Sequence, residues 1–104
     1  MTAAPQRSNL VTELGWAWDT GDWTLRLGES LYSPYHPEYR FRLVQQLNGM
    51  LVCYSLGSYN LPVWASFPEG NRAVTHSTLV GETLRVWTDR QCIYERLRPT
   101  PEDL

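Results

Sequence analysis

The 104-residue chain reads as a single all-β domain built from short antiparallel strands. Three observations predict this. Apolar and polar residues alternate over short runs, turn residues punctuate the chain at close intervals, and no segment beyond the first fifteen residues carries a helical period. Short strands between frequent turns suit a sandwich, a barrel or a prism.

The elements follow in order. Residues 1–9 read as a flexible lead-in and 99–104 ("PTPEDL") as a polar tail, leaving 10–98 as the domain. "DWTLRL" (22–27) sets Trp23, Leu25 and Leu27 against Thr24 and Arg26, the two-residue period of a strand with one buried face. "GES" breaks that run, and "LYSPYHPEY" with Pro34 and Pro37 reads as a loop. "YRFRLVQQL" (39–47) alternates again. Asn48-Gly49 then supplies a hairpin turn, because both residues tolerate positive φ, and "MLVCYSL" (50–56) is the return strand. "GSYN" turns the chain once more into "LPVWASF" (61–67), where Pro62 suits a strand start or a sheet edge. "AVTHSTLV", "TLRVWT" and "CIYERL" complete the set.

A weak internal echo accompanies these strands. "MLVCYSLGSYNLPVWAS" has a counterpart in "TLRVWTDRQCIYERL", aligning Leu51 with Leu84 and Tyr54 with Trp87, as for a repeated supersecondary unit. "GWAWDTGDW" offers a third, fainter match through its Trp-Ala. It holds three of the five tryptophans, which predicts a buried hub where sheets meet, or a dimer contact if exposed.

Composition narrows the function classes. A net charge of -2 disfavours nucleic acid as the main partner, and all nine basic residues are Arg, as in a chain encoded by a high-GC genome. The start of the chain lacks a basic head followed by an apolar run, and no stretch is long and apolar enough to span a membrane. The expectation is a cytoplasmic protein, with leaderless export left open. Cys53 and Cys92 lack metal or redox spacing and are expected as free thiols. His36 and His76 show no metal-ligand spacing, and neither histidine is oriented with Cys92 as a nucleophile and base would require. Asp19 and Asp22 read as turn residues. No catalytic residue, metal or cofactor is expected, so the chain reads as a binding module and not an enzyme.

One stretch carries a resemblance. The segment "LYSPYHPEYRFRLVQQLNGMLVCYSLGSYNLPVWASFPEG", preceded by "LRLGESL", resembles one unit of the bulb-type, snowdrop-agglutinin-like mannose-binding lectins. Units of that family carry Gln-x-Asp-x-Asn-x-Val-x-Tyr followed by Trp-Ala-Ser, with a Leu-x-x-Gly-x-x-Leu lead-in. Here Leu25, Gly28 and Leu31 match the lead-in, Gln46, Val52 and Tyr54 match the pattern, and Trp64, Ala65 and Ser66 match the closing signature. Asn48 stands at the Asp position and Met50 at the Asn position. The likeness covers residues 25–70. The following unit keeps only a shadow, with Leu79, Gly81, Thr83, Arg85 and Trp87 at the pattern positions.

The resemblance implies a β-prism of short four-stranded sheets, with a small sandwich or barrel as the alternative. It implies a sugar pocket at Gln46, Asn48, Val52 and Tyr54, helped by Tyr59 or the tryptophan cluster. Residues spaced by two share a face, so these side chains can line one shallow site. Asn48 replaces a charged acceptor by a neutral one. A hydroxyl left facing Met50 would lose about 1–3 kcal/mol. Weak mannose-type binding is the expectation. The alternative is a protein-interaction or assembly subunit, including a homo-oligomer, that keeps the fold without the sugar.

Overall fold

The computed structural model describes residues 13–33, 40–57, 60–67 and 70–100. Among the described residues eight strands run in order: β1 Trp23–Arg26, β2 Ser30–Tyr32, β3 Phe41–Gln45, β4 Leu51–Ser55, β5 Leu61–Ala65, β6 Val74–Val80, β7 Thr83–Thr88 and β8 Cys92–Leu97. They form two four-stranded antiparallel sheets, ordered β2-β3-β4-β5 and β1-β6-β7-β8. The all-β expectation holds. Two sheets are seen among the described residues, where a complete prism of the expected kind has three.

The strand-forming logic is visible in the register. On β3, Phe41, Leu43 and Gln45 point into the core, while Arg42 and Val44 point out. Pairing with β4 sets Leu43 opposite Cys53 and Val44 opposite Val52. The hairpin closes at Asn48-Gly49 as the alternation required, but only Gly49 takes positive φ, at 91°, with its N–H donating to the Gln46 carbonyl at 3.0 Å, so the turn is not the pair of positive-φ residues expected. Glycine is needed at position 49 for a second reason. A Cβ there would lie 1.8 Å from the Asn71 carbonyl oxygen, and one on Gly70 would lie 2.3 Å from the Asn48 carbonyl oxygen. The hairpin tip and the 70–71 loop therefore meet backbone to backbone. Past β5, Ser66 extends the sheet: its N–H donates to the Leu51 carbonyl and its Oγ accepts from the Leu51 N–H.

One strand departs from expectation. Ser30–Tyr32 pairs antiparallel with β3, where a loop was expected from Leu31 onward. Three residues show no readable alternation, and β3 supplies the pairing that holds them extended. The rest of that expected loop, 34–39, lies outside the described residues, as do Tyr59, the 1–9 lead-in and the last four residues. Pro99 is buried and Arg98 N–H donates to the Glu82 carbonyl at 2.9 Å, so the packed chain runs past the expected start of the tail.

The internal echo has a three-dimensional counterpart. β4 and β7 each occupy the third place in their sheet. The aligned Leu51 and Leu84 are both fully buried, as are Cys53 and Val86. The ladder shifts register between Cys53 and Tyr54 in one sheet and between Val86 and Trp87 in the other, the same aligned step. Trp64 and Tyr94 sit opposite Cys53 and Val86 and meet edge to face at 6.1 Å.

The tryptophan-rich segment does not form a third β unit. Gly15–Thr20 is a short 3-10 helix, with Trp18 buried in the core shared by both sheets and Trp16 and Trp23 packed against it. Each indole N–H reaches a backbone carbonyl: Trp16 to Glu13, Trp18 to Glu82 and Trp23 to Ala17, at 3.0–3.1 Å. This is the buried hub the sequence suggested. The core also holds a polar link. Gln45 and Ser77, both fully buried, hydrogen-bond from one sheet to the other, and Gln45 Nε2 donates to the Gln46 and Met50 carbonyls.

Candidate functional site

The outward face of the β2–β5 sheet carries the candidate site. Antiparallel register stacks its side chains in rows. One row runs Ser30, Val44, Val52, Ala65, and the next runs Tyr32, Arg42, Tyr54, Pro62. Beyond the first row lies the level of Gln46 and Met50, at the hairpin, where Gln46 N–H donates to the Met50 carbonyl at 2.8 Å. The two-residue spacing from Gln46 to Tyr54 thus persists around the hairpin, and the motif spans two strands and a turn.

Gln46 Nε2 donates to the Tyr54 hydroxyl. Their rows flank the Val44–Val52 row, roughly 3.3 Å of strand rise per residue separating successive levels, so this bond arches over the two valines. That arch explains why Val44 and Val52 are only 5% and 3% exposed on an outward face. An open groove of about 510 Å³ lies over it, lined by Gly28, Arg42, Val44, Gln46, Leu47, Asn48, Tyr54 and Asn60.

Of the four residues expected at the site, Gln46, Asn48 and Tyr54 line this groove. Val52 does not: it lies beneath, its surface taken by the row neighbours and the Gln46–Tyr54 bridge. Met50 also stays out of the lining, so no groove-bound hydroxyl has to face it. Asn48 is partly committed to its own turn, with Oδ1 accepting the Met50 N–H at 3.1 Å. Its amide nitrogen, the Gln46 Oε1 and the Tyr54 hydroxyl proton provide donors and acceptors toward the groove.

Sequence reading missed Arg42, Val44, Leu47, Gly28 and Asn60. Arg42 and Val44 could have been found, since they continue the two-residue spacing back from Gln46 on β3. Gly28 and Asn60 come from separate turns and carry no such signal. Arg42 Nε donates to Ser30 Oγ across the β2–β3 pair at 3.0 Å, which fixes where the guanidinium projects.

The remaining chemistry-bearing residues lie elsewhere. Cys53 is buried in the core, its thiol donating to the Glu13 carbonyl at 3.1 Å, and burial pushes its pKa up to about 12. Cys92 is also a free thiol and donates to the Tyr94 carbonyl. His76 stacks in parallel on Trp87 at 6.0 Å, and its Nδ1 bonds the Thr75 hydroxyl. In the ladder His76 pairs with Trp87 and Trp87 with Cys92, so the indole stands between that histidine and the thiol. His36 lies outside the described residues. No three His, Cys, Asp or Glu side chains gather as a metal site among the described residues, and none of their helices is long and apolar enough to cross a membrane. The tryptophan cluster, with Trp18 buried and Trp16 and Trp23 partly buried against the core, does not line the groove.

No protein-family model, curated protein or solved structure matches the chain.

Proposed function

We propose that this chain is a non-catalytic binding module of the bulb-lectin type whose ligand is a carbohydrate taken in the groove over β3 and β4. The observation that carries this reading is the convergence of Gln46, Asn48 and Tyr54, three residues singled out by the lectin-like pattern, on one open groove with an apolar floor at Val44. A shallow site with amide, hydroxyl and guanidinium groups around a small apolar patch suits a sugar ring, which offers hydroxyls at its rim and C–H groups on its face. With Asn48 in place of a carboxylate and one of its lone pairs used by the turn, monovalent affinity is weak.

Calorimetric titration with mannose and a panel of neutral and charged oligosaccharides tests the reading. Binding at millimolar concentration or better, lost in Tyr54→Ala and Gln46→Ala, is the expected result. Silence from every sugar refutes it.

A protein-binding or assembly role is the second reading. Leu47, three-quarters exposed at the rim of the groove, favours it. A stable oligomer by light scattering that dissociates on Leu47→Ser would move the assignment in that direction.

A further inference from the structure

We infer that the groove selects an anionic saccharide, one bearing a carboxylate or a sulfate ester, over a neutral one, and that Arg42 is the residue that selects it. The inference rests on the carbohydrate reading above and names its ligand class.

The charge of the lining carries the argument. Arg42 is the one formally charged side chain among the described residues that line the groove, and no carboxylate accompanies it. Asn48, which stands at the Asp position of the lectin-like pattern, is neutral, so the lining presents a cation with no anion beside it. A site with a carboxylate repels an acidic sugar. A site with an unopposed guanidinium attracts one.

Geometry holds that cation ready. Arg42 is half-buried and lines the groove, and its Nε–H is used on Ser30 Oγ, which leaves the fork of the two terminal nitrogens for a ligand. No carboxylate pairs with it among the described residues. Glu29, next to Ser30 in the chain, turns its Oε1 back onto the Arg26 N–H at 2.6 Å. Two oxygens of one carboxylate or sulfate group match such a fork, whereas a hydroxyl meets it at one point. The flanking row supplies the rest. Tyr32 and Tyr54 sit on either side of Arg42 in the ladder, and Tyr32 is 61% exposed, an aromatic face on which a sugar ring can lie while its charged group reaches the guanidinium. Arg40, exposed and two residues earlier on the same strand line, adds positive potential at that end.

The test compares three oligosaccharides by calorimetry at about 20 mM and about 300 mM salt. Mannotriose is neutral, trigalacturonate carries carboxylates only, and a carrageenan-derived tetrasaccharide carries sulfates only. At least one acidic probe is expected to bind about tenfold more tightly than mannotriose at low salt, the gain of one charge-assisted contact. That preference should shrink severalfold at high salt, and which acidic probe is preferred separates carboxylate from sulfate recognition. Arg42→Gln, checked for folding by its thermal melt, should bring the acidic and neutral affinities to within about twofold. Asn48→Asp, which returns a carboxylate to the groove, should also erase the preference, independently of any fault in the Arg42 variant. Equal binding of all three probes by the wild type overturns the inference and leaves the carbohydrate reading standing. An acidic preference that survives Arg42→Gln overturns it as well, because the selecting charge then lies elsewhere. Absence of binding by any probe removes both.

Discussion

Replacing Gly49 by alanine attacks the tightest of the close approaches where the hairpin tip and the 70–71 loop meet backbone to backbone. Two costs add. At φ 91° an L-residue is strained by about 1–2 kcal/mol. The new methyl would lie 1.8 Å from the Asn71 carbonyl oxygen, 2.6 Å from its carbon and 2.9 Å from its nitrogen, all backbone atoms that no rotamer change can move. The loop must retreat by more than an ångström, and it is held by Asn71 O and Oδ1, which accept from Val74 and Ala73 N–H at 3.2 and 2.9 Å. Loosening those bonds adds about 1–2 kcal/mol. The total is about 3 kcal/mol, or roughly 12–24 °C in melting temperature for a domain of this size. Two control variants separate the terms. Gly81→Ala, at φ 60° and with no atom within 4 Å of the added methyl, carries the strain alone and should cost about 1 kcal/mol. Gly57→Ala, with neither positive φ nor a neighbour within 4 Å, should stay within about 0.5 kcal/mol of wild type. Circular dichroism melts and urea titrations give the order directly. If Gly49→Ala is no worse than Gly81→Ala, the close backbone contact is not there and the placement of the hairpin tip is refuted.

Other perturbations follow from the core. Ser77→Ala leaves the side-chain Oε1 of Gln45 buried without its partner and should cost about 1–3 kcal/mol, whereas the double variant Gln45→Met with Ser77→Ala should cost less than the two single changes added together, as a double-mutant cycle in urea will show. Cys53 should resist thiol reagents in the native protein at mildly alkaline pH while Cys92 reacts, with mass spectrometry reporting the order. Because folding raises the Cys53 pKa from 9.0 to about 12, the folded state keeps a proton that the unfolded chain loses. Its contribution is complete below pH 9 and drains away as pH rises toward 12, at up to about 1.4 kcal/mol per pH unit. Cys53→Ala should flatten that slope in melts taken across this range. Tyr54→Phe removes the hydroxyl that Gln46 bonds and should abolish sugar binding while changing stability by about 1 kcal/mol or less.

Much of the fold was legible because strands with one buried face write their register into the sequence. Phe41, Leu43 and Leu51, Cys53 alternate on either side of Asn48-Gly49, and the sheet follows from that pattern with the hairpin at the expected place. The echo between Leu51 and Leu84 was likewise legible, since both sheets repeat one pattern of burial. Ser30–Tyr32 was not, because three residues hold an extended form only through β3. Nor was the helical turn at Gly15–Thr20, whose tryptophans answer to carbonyls as far along the chain as Glu82.

The sequence by itself determined the all-β class and the central hairpin, and its lectin-like pattern proposed Gln46, Asn48, Val52 and Tyr54 as the residues around which a site could form. The tertiary structure decided which of those residues reach the groove. Val52 shares the outward face, yet the Gln46–Tyr54 bond arches over its row and buries it. Arg42 enters the groove because cross-strand register sets it beside Tyr54 and Ser30 holds its guanidinium. Alternation along a strand assigns a side chain to a face; only the packing of neighbouring strands determines which side chains on that face remain open to a ligand.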